Sequence, residues 1–276
     1  MRGALFQTAY WVLSVFYILV SLPFLAWPGH GPVRAIIRSY TRAMNLALRY
    51  IAGIAKEVRG RERLPQGAFV IGAKHQSWGD GFLIYPEVPD LAFVTGDHLE
   101  RFPLVSGILK KLGAIVIDTC GGGEKKASSL ANGMNKAKAD GRRVLIYPEG
   151  HLAPVGYHFR YKAGVWHMAE AMGVPVVPVA TNIGVFWQQQ ETPRRAGTAI
   201  IEFLEPIPPG LPKAEFIARL TEAVEARTAD LVAEATGEPV RRAELIPDPP
   251  NGREAAPTTR DLAAHKKPEL ATLILL

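Results

Sequence analysis

AFVIGAKHQSWGDGFLIY, residues Ala68 to Tyr85, holds the sharpest change of pattern in the chain. Ala68 to Ala73 is a short, almost wholly apolar run, with the length and composition of a strand buried on both faces. The polar KHQS and the glycines Gly79 and Gly81 then lead into a helical pattern at Gly81 to Tyr85. A buried strand that passes through a polar turn into a helix is the repeating unit of an α/β domain. The alternation continues downstream. Further strands are expected at Leu91 to Thr95, Ala114 to Asp118, Arg143 to Tyr147, Val174 to Ala180 and Ala199 to Phe203. Helices are expected at Pro103 to Leu112, Lys125 to Ala139, Gly164 to Met172 and Pro212 to Thr236.

His75 stands five positions before Asp80 in the first turn. At that separation two side chains diverge by about 140° on a helix and point to opposite faces of a strand. They meet only if His75 lies in the strand-to-helix loop and Asp80 in the first helical turn, which Gly79 and Gly81 permit. Asp80 would then accept from one imidazole nitrogen and leave the other to take a proton from a hydroxyl. Ser77 lies inside the pair and no Gly-x-Ser-x-Gly elbow is present, so direct attack by a substrate hydroxyl is favoured over a covalent acyl-enzyme. The alternative is that His75 only hydrogen-bonds its own loop.

A second strand ends in LIYPEGH, with Glu149 and Gly150 at its carboxyl end, where ligands gather in open α/β sheets. Glu149 could orient a polyol hydroxyl, and Gly150 would admit that ligand close to the backbone. Next, FRYKAG puts Arg160 and Lys162 before a helix. Pro175 and Pro178 in GVPVVPVA read first as buried strand-end structure.

The charge is uneven. Of 32 Lys and Arg against 26 Asp and Glu, residues 1 to 60 hold seven cations and one acid, and the remaining 216 residues balance. A basic N-terminus beside a neutral body points to an anionic membrane surface and away from nucleic acid, which would need a basic face on the body. Ala4 to Trp27 carries no formal charge and as a helix would reach roughly 36 Å, enough to cross the hydrocarbon. Val33 to Ile54 has Arg34, Arg38 and Arg42 on one side and Ile37, Tyr40, Met44 and Ile51 on the other, an amphipathic helix with a basic face. That helix packs on the domain or lies in the headgroup region, and its arginines put the body on the cytoplasmic side, whether the first helix spans or turns back within one leaflet. The lone Cys120 excludes an intrachain disulfide and any Cys-rich metal site. Residues 239 to 268, rich in Pro and charge without periodicity, read as a largely unstructured extension.

The order KHQSWGD, FPLVSGILKKLGAIVID, YPEG, then YKAG with GVPVVPVA resembles the membrane-bound glycerolipid acyltransferases of the 1-acylglycerol-3-phosphate acyltransferase (PlsC) type, over roughly residues 65 to 210. The resemblance implies a single mixed-sheet α/β domain at 59 to 237, behind a membrane-embedded helical hairpin at 1 to 58 and ahead of an extension at 238 to 276. It also implies transfer of a fatty acyl chain from acyl-CoA or acyl carrier protein to a lysolipid hydroxyl, with membrane lipids as partners and no cofactor or metal. His75 would be the general base, Asp80 its orienting carboxylate, and Glu149 and Gly150 part of the substrate-binding block.

Three cations usual in the family are missing: EGTR reads EGHL here, Thr119 stands for an arginine after the Ile-Asp strand, and Gly96 or Asp97 for a lysine. A phosphate monoester wants Arg or Lys partners. Either Arg160, Lys162 or Lys74 supplies that charge to lysophosphatidic acid, or Asp97, His98 and His151 recognise another head group, such as that of a lyso-aminolipid. A membrane lipid-binding protein without catalysis and a lipase-type hydrolase are the remaining classes.

Overall fold

A computed structural model describes residues 1–96, 103–117, 122–193 and 195–249. The chain opens with α1 (Arg2–Leu25) and α2 (Gly31–Ala47), then β1 (Ile54–Arg59), β2 (Val70–Ala73), α3 (Asp80–Ile84), β3 (Leu91–Gly96) and α4 (Pro103–Leu112). It continues through β4 (Ile115–Ile117), α5 (Gly122–Ala139), β5 (Arg143–Ile146), β6 (Tyr157–His158), α6 (Gly164–Met172) and β7 (Val176–Thr181) to β8 (Gly197–Phe203), α7 (Lys213–Thr236) and β9 (Glu244–Leu245). Asp118, expected to end a strand, and residues 250 to 276 lie outside the described residues.

Seven strands form one sheet in the order β1-β8-β7-β2-β5-β3-β4. Every neighbouring pair is parallel except β7 with β8, so the sheet is mixed. Strand alternation sorts the central side chains into two cores. Phe69, Ile71, Ala73, Leu145, Val177 and Val179 face α1, α2 and α3. Val70, Val144, Ile146 and Val176 face the side covered by α5, α6 and α7. Gly72 lets α7 come close, since a methyl group there would already sit 3.3 Å from Leu220 and Val176. Both His75 and Glu149 follow the carboxyl ends of parallel neighbours, β2 and β5, which brings the two motif loops to one end of the sheet.

Two expectations differ from the fold. Ile54–Arg59, read as the end of an amphipathic helix and of the anchoring segment, is a strand paired with β8, so a boundary at residue 58 cuts through the sheet. The helical spacing of Met44, Leu48 and Ile51 runs on to Ile54, but Gly53 at φ +77 terminates it in the left-handed region that glycine favours. The tail is ordered as far as residue 249, where β9 pairs with β6 and Ile246 packs on Ala153 and Phe159. Its low periodicity reflects a two-residue strand, too short to leave a pattern.

Among the described residues, α1 is the one helix long and apolar enough to cross a membrane. It lies along the domain and touches it at both ends. Near its start Phe6 packs edge-on against Trp187 with ring centroids 5.2 Å apart, and Gly3 sits against Pro193. Near its end Leu25 closes on Gly107 of α4. α2 runs back beside it, joined by Ser14–Tyr40 and Tyr17–Ser39 hydrogen bonds of 2.7 and 2.9 Å. The outer face of α1 carries Leu5, Trp11, Val12, Val15, Phe16 and Leu19, all exposed. Val33, Met44 and Ala47 of α2 are buried, so α2 packs on the domain as well as following α1.

Truncating Ile246 tests whether the docked tail contributes to the fold. Ile246→Ala should cost about 2 kcal/mol, at the low end for a buried isoleucine because the cluster beneath it is small. Chemical denaturation in neutral detergent measures this, and an unchanged midpoint would mean that β9 adds nothing.

Candidate active site

The loop after β2 folds around one carboxylate oxygen. Asp80, the first residue of α3, is fully buried, and its Oδ2 accepts from His75 Nδ1 at 2.9 Å, Gln76 N at 2.8 Å and Ser77 N at 2.9 Å. A carboxylate only accepts, so the neutral imidazole carries its proton on Nδ1 and its lone pair on Nε2. The His75 side chain is 21% exposed, and Nε2 has no hydrogen-bond partner among the described residues. Histidine and aspartate thus meet as the loop-and-first-turn geometry requires.

Close packing makes this turn possible. A methyl group on Gly79 would fall 2.4 Å from Ile183 and 2.8 Å from the Trp187 ring. The loop is also paired on its far side, where Trp78 N donates to Gln189 O and Gln189 N to Gln76 O, with Gln189 held at φ +46. Backbone amides at the start of a helix can hold an oxyanion when they are open. Those of Gln76, Ser77, Trp78, Gly79 and Asp80 are instead all occupied inside the loop.

Tyr147, which the sequence reading passed over, stacks on the imidazole with ring centroids 3.8 Å apart and planes 12° off parallel. Its hydroxyl is buried and unpartnered among the described residues, and burial followed by the Asp80 charge pushes its pKa well above the usual phenol value. The ring therefore acts as a flat apolar wall for His75. It lies in the strand-ending IYPEG, one residue before the proline, where it read only as part of the strand.

Lys74 and Glu149 do something other than expected. Lys74 is 1% exposed, and its Nζ donates to Glu149 Oε2 at 3.1 Å, Glu225 Oε1 at 2.9 Å and Tyr157 O at 3.0 Å. It bridges two carboxylates and has no donor left for a phosphate. Glu149, fully buried, accepts from His75 N at 3.2 Å and Phe159 N at 3.0 Å as well, so it holds backbone and does not meet a polyol. Tyr161 completes the cluster by donating to Glu225 at 2.8 Å. Glu225, on the charged face expected of α7, carried no sequence signal beyond its place in that helix. Burial, and then the Glu225 charge, pushes the Glu149 pKa up to about 7 against the pull of Lys74, whereas three donor partners favour its ionised form.

The other expected binding residues ring the same loop end. Gly150 is exposed at φ +72, and a methyl group there would sit 2.8 Å from Lys162 Nζ, so glycine serves the turn and the lysine above it. Lys162 is half-buried, with its amide bonded to Pro148 O. Arg160 is exposed, and His151 is half-buried with its ring 5.2 Å from that of Phe159. Asp97 and His98 lie outside the described residues. No group of His, Cys, Asp and Glu suited to a metal occurs among the described residues.

A mixed-sheet domain that pairs a histidine with an aspartate beside a helical hairpin has counterparts among known proteins. Residues 56–182 match the family described as Acyltransferase. The 1-acyl-sn-glycerol-3-phosphate acyltransferase of Pseudomonas aeruginosa is 29% identical over 254 residues, covering 85% of this chain and 95% of that protein. The protein of the same name from Saccharomyces cerevisiae is 24% identical over 234 residues, covering 83% and 75%. The fold matches the crystal structure of PlsC from Thermotoga maritima with a TM-score of 0.67 at 21% identity, over 84% of this chain and 98% of that one. Residues 56–182 thus match an acyltransferase-family domain, and the chain is similar in sequence and fold to acyltransferases of the PlsC type.

Two outcomes test the buried cluster. Lys74→Met leaves two carboxylates without their cation and should destabilise the protein by about 3–5 kcal/mol, read by denaturation. The raised Glu149 pKa implies stability that is greatest below the unfolded value of about 4.5 and falls as pH rises toward 7, because the unfolded chain ionises first. Glu149→Gln should flatten that part of the stability profile; an unaltered slope would assign it to another group.

Proposed function

We propose that this chain is a lysolipid O-acyltransferase whose main acceptor is 1-acyl-sn-glycerol 3-phosphate, giving phosphatidic acid, with acyl-CoA or acyl carrier protein as the thioester donor. The observation that carries the reading is the 2.9 Å His75–Asp80 contact, with Nε2 open. The relatives named above support the acceptor, since acylation of this lysolipid is what their names describe.

In the reaction the acceptor hydroxyl donates to His75 Nε2, and its oxygen attacks the thioester carbonyl carbon as the proton moves to the imidazole. The tetrahedral oxyanion then collapses, breaks the carbon–sulfur bond and releases the thiolate, which takes the proton back from Nε2. Asp80 stays ionised, steadies the imidazolium and fixes the ring. A positioned base of this kind contributes typically 10²–10⁴ in rate, and orientation of the hydroxyl against the thioester contributes more.

With Lys74 buried, Lys162 beside Gly150 and the exposed Arg160 two positions before it are suited to the phosphate of the acceptor. The hairpin binds one leaflet by the exposed face of α1, and Arg34, Arg38 and Arg42 favour the cytoplasmic side of the cell membrane. Residues 1 to 53 then serve as the anchor, 54 to 237 as the catalytic domain, and 238 to 249 as a strap on it.

Purified protein supplied with either donor should convert lysophosphatidic acid to phosphatidic acid, identified by mass spectrometry. His75→Ala should lower kcat by at least 10²-fold while vesicle association persists. Acylation of a lyso-aminolipid with lysophosphatidic acid ignored would overturn the acceptor. Lysolipid binding without turnover would overturn catalysis, and release of free acid from donor alone would point to a hydrolase.

A further inference from the structure

The sheet that carries the motif loops at one end borders a cavity of about 150 Å³ near the other, where α4 hands over to β4 and α5 to β5. Its volume is several times the roughly 30 Å³ that one water occupies in the liquid, which leaves room for a tetrahedral oxyanion. Lys110, Lys136 and Arg142 line it against a single acid, Asp140. Two helix C-termini also point here, each worth about half a negative charge, so roughly one positive charge remains in excess.

Arg142 is the unusual wall. It is 5% exposed, its Nε donates to Asp90 O at 3.2 Å, and its Nη2 is buried with no hydrogen-bond partner among the described residues. A buried charged donor left unmade is costly, about 1–3 kcal/mol or more, and such groups ordinarily have a partner. The neighbouring cation Arg34 adds repulsion, and burial followed by that charge lowers the Arg142 pKa. Gly113, at φ +69, leaves the guanidinium its space, since a methyl group there would lie 2.2 Å from Nη1. The fold therefore keeps room for a buried, underpaired arginine beside two exposed lysines.

We propose that this cavity binds a phosphate group, with the Arg142 fork on its oxygens and Lys110 and Lys136 at its rim. A planar fork with flanking point charges is the arrangement that suits a phosphate. The group comes from a soluble phosphate compound or from the head group of an anionic phospholipid. The second source fits the setting, because Lys111, next to Lys110, bonds Trp27 O at 2.6 Å and Gly29 O at 3.2 Å in the hairpin loop. None of these residues belongs to the His75 loop, so the site stands or falls apart from acyl transfer.

The full chain in neutral detergent, titrated calorimetrically with inorganic phosphate against chloride at matched ionic strength, tests the site. The wild type should bind saturably, and Lys110→Glu and Lys136→Glu should each weaken binding at least tenfold. Lys138→Glu makes the same charge change outside the cavity and should stay within twofold. These surface variants avoid the folding risk of replacing Arg142. Flotation with phosphatidylglycerol in phosphatidylcholine vesicles separates the sources. Loss of flotation by the two rim variants alone identifies the lipid head group, and unchanged flotation beside lost phosphate binding identifies a soluble compound. Absence of saturable binding by the wild type, or equal loss in Lys138→Glu, overturns the proposal.

Discussion

One oxygen, Oδ2 of Asp80, ties together everything that the candidate site requires. It receives the imidazole and two successive backbone amides, so the carboxylate that fixes the tautomer of His75 also folds the loop that presents it. A buried carboxylate oxygen suits this place because it only accepts, and all three donors would be left unpaired without it. Burial on one side by Ile183 and Trp187 and on the other by Tyr147 keeps water out, and Gly79 is the residue that lets those side chains close in. Catalytic geometry and local folding are here a single constraint.

Behind that loop stands a second buried charge system of a different kind. Lys74, Glu149 and Glu225 carry two negative charges against one positive, and a buried ion pair by itself is weak evidence for stability. Its value is positional. Through Glu149 the cluster holds the amides of His75 and Phe159, and through Lys74 it reaches Tyr157, so the β2 loop, the β5 loop and α7 are fastened at one point. The adjacent residues 74 and 75 go to different neighbours, Lys74 into this cluster and His75 to Asp80 and Tyr147.

How much of this was legible depends on whether a feature is local. The His75–Asp80 contact could be read from five residues because a short loop and one helical turn admit few geometries. The central strands were readable from continuous apolar runs, since burial on both faces leaves no polar positions. Lys74 was misread because a lysine beside a catalytic motif looks available; its two partners lie 75 and 151 residues away, and nothing near it reveals them. Glu149 failed for the same reason, its partners being backbone amides from other loops. Tyr147 went unnoticed since stacking on an imidazole is a relation between loops rather than a motif. β1 was lost in the helical spacing that precedes it, and the one signal, Gly53, was passed over.

The way α1 is attached bears on how such a base reaches a lipid hydroxyl. A helix that crossed the bilayer and joined the body by a linker would fix the domain to the membrane without fixing its depth. α1 is packed at both ends, and between them Tyr10 stacks on Trp78 of the His75 loop, with ring centroids 6.0 Å apart and planes 20° off parallel. The apolar outer face of α1 and the His75 loop are thus parts of one rigid surface, on which Trp78 itself is 37% exposed. Under the proposed reaction, burying that face to the level of the acyl chains brings the imidazole to the level of the head groups, where a lysolipid hydroxyl lies. Depth is then set by side-chain packing, and the acceptor meets the base without leaving its leaflet.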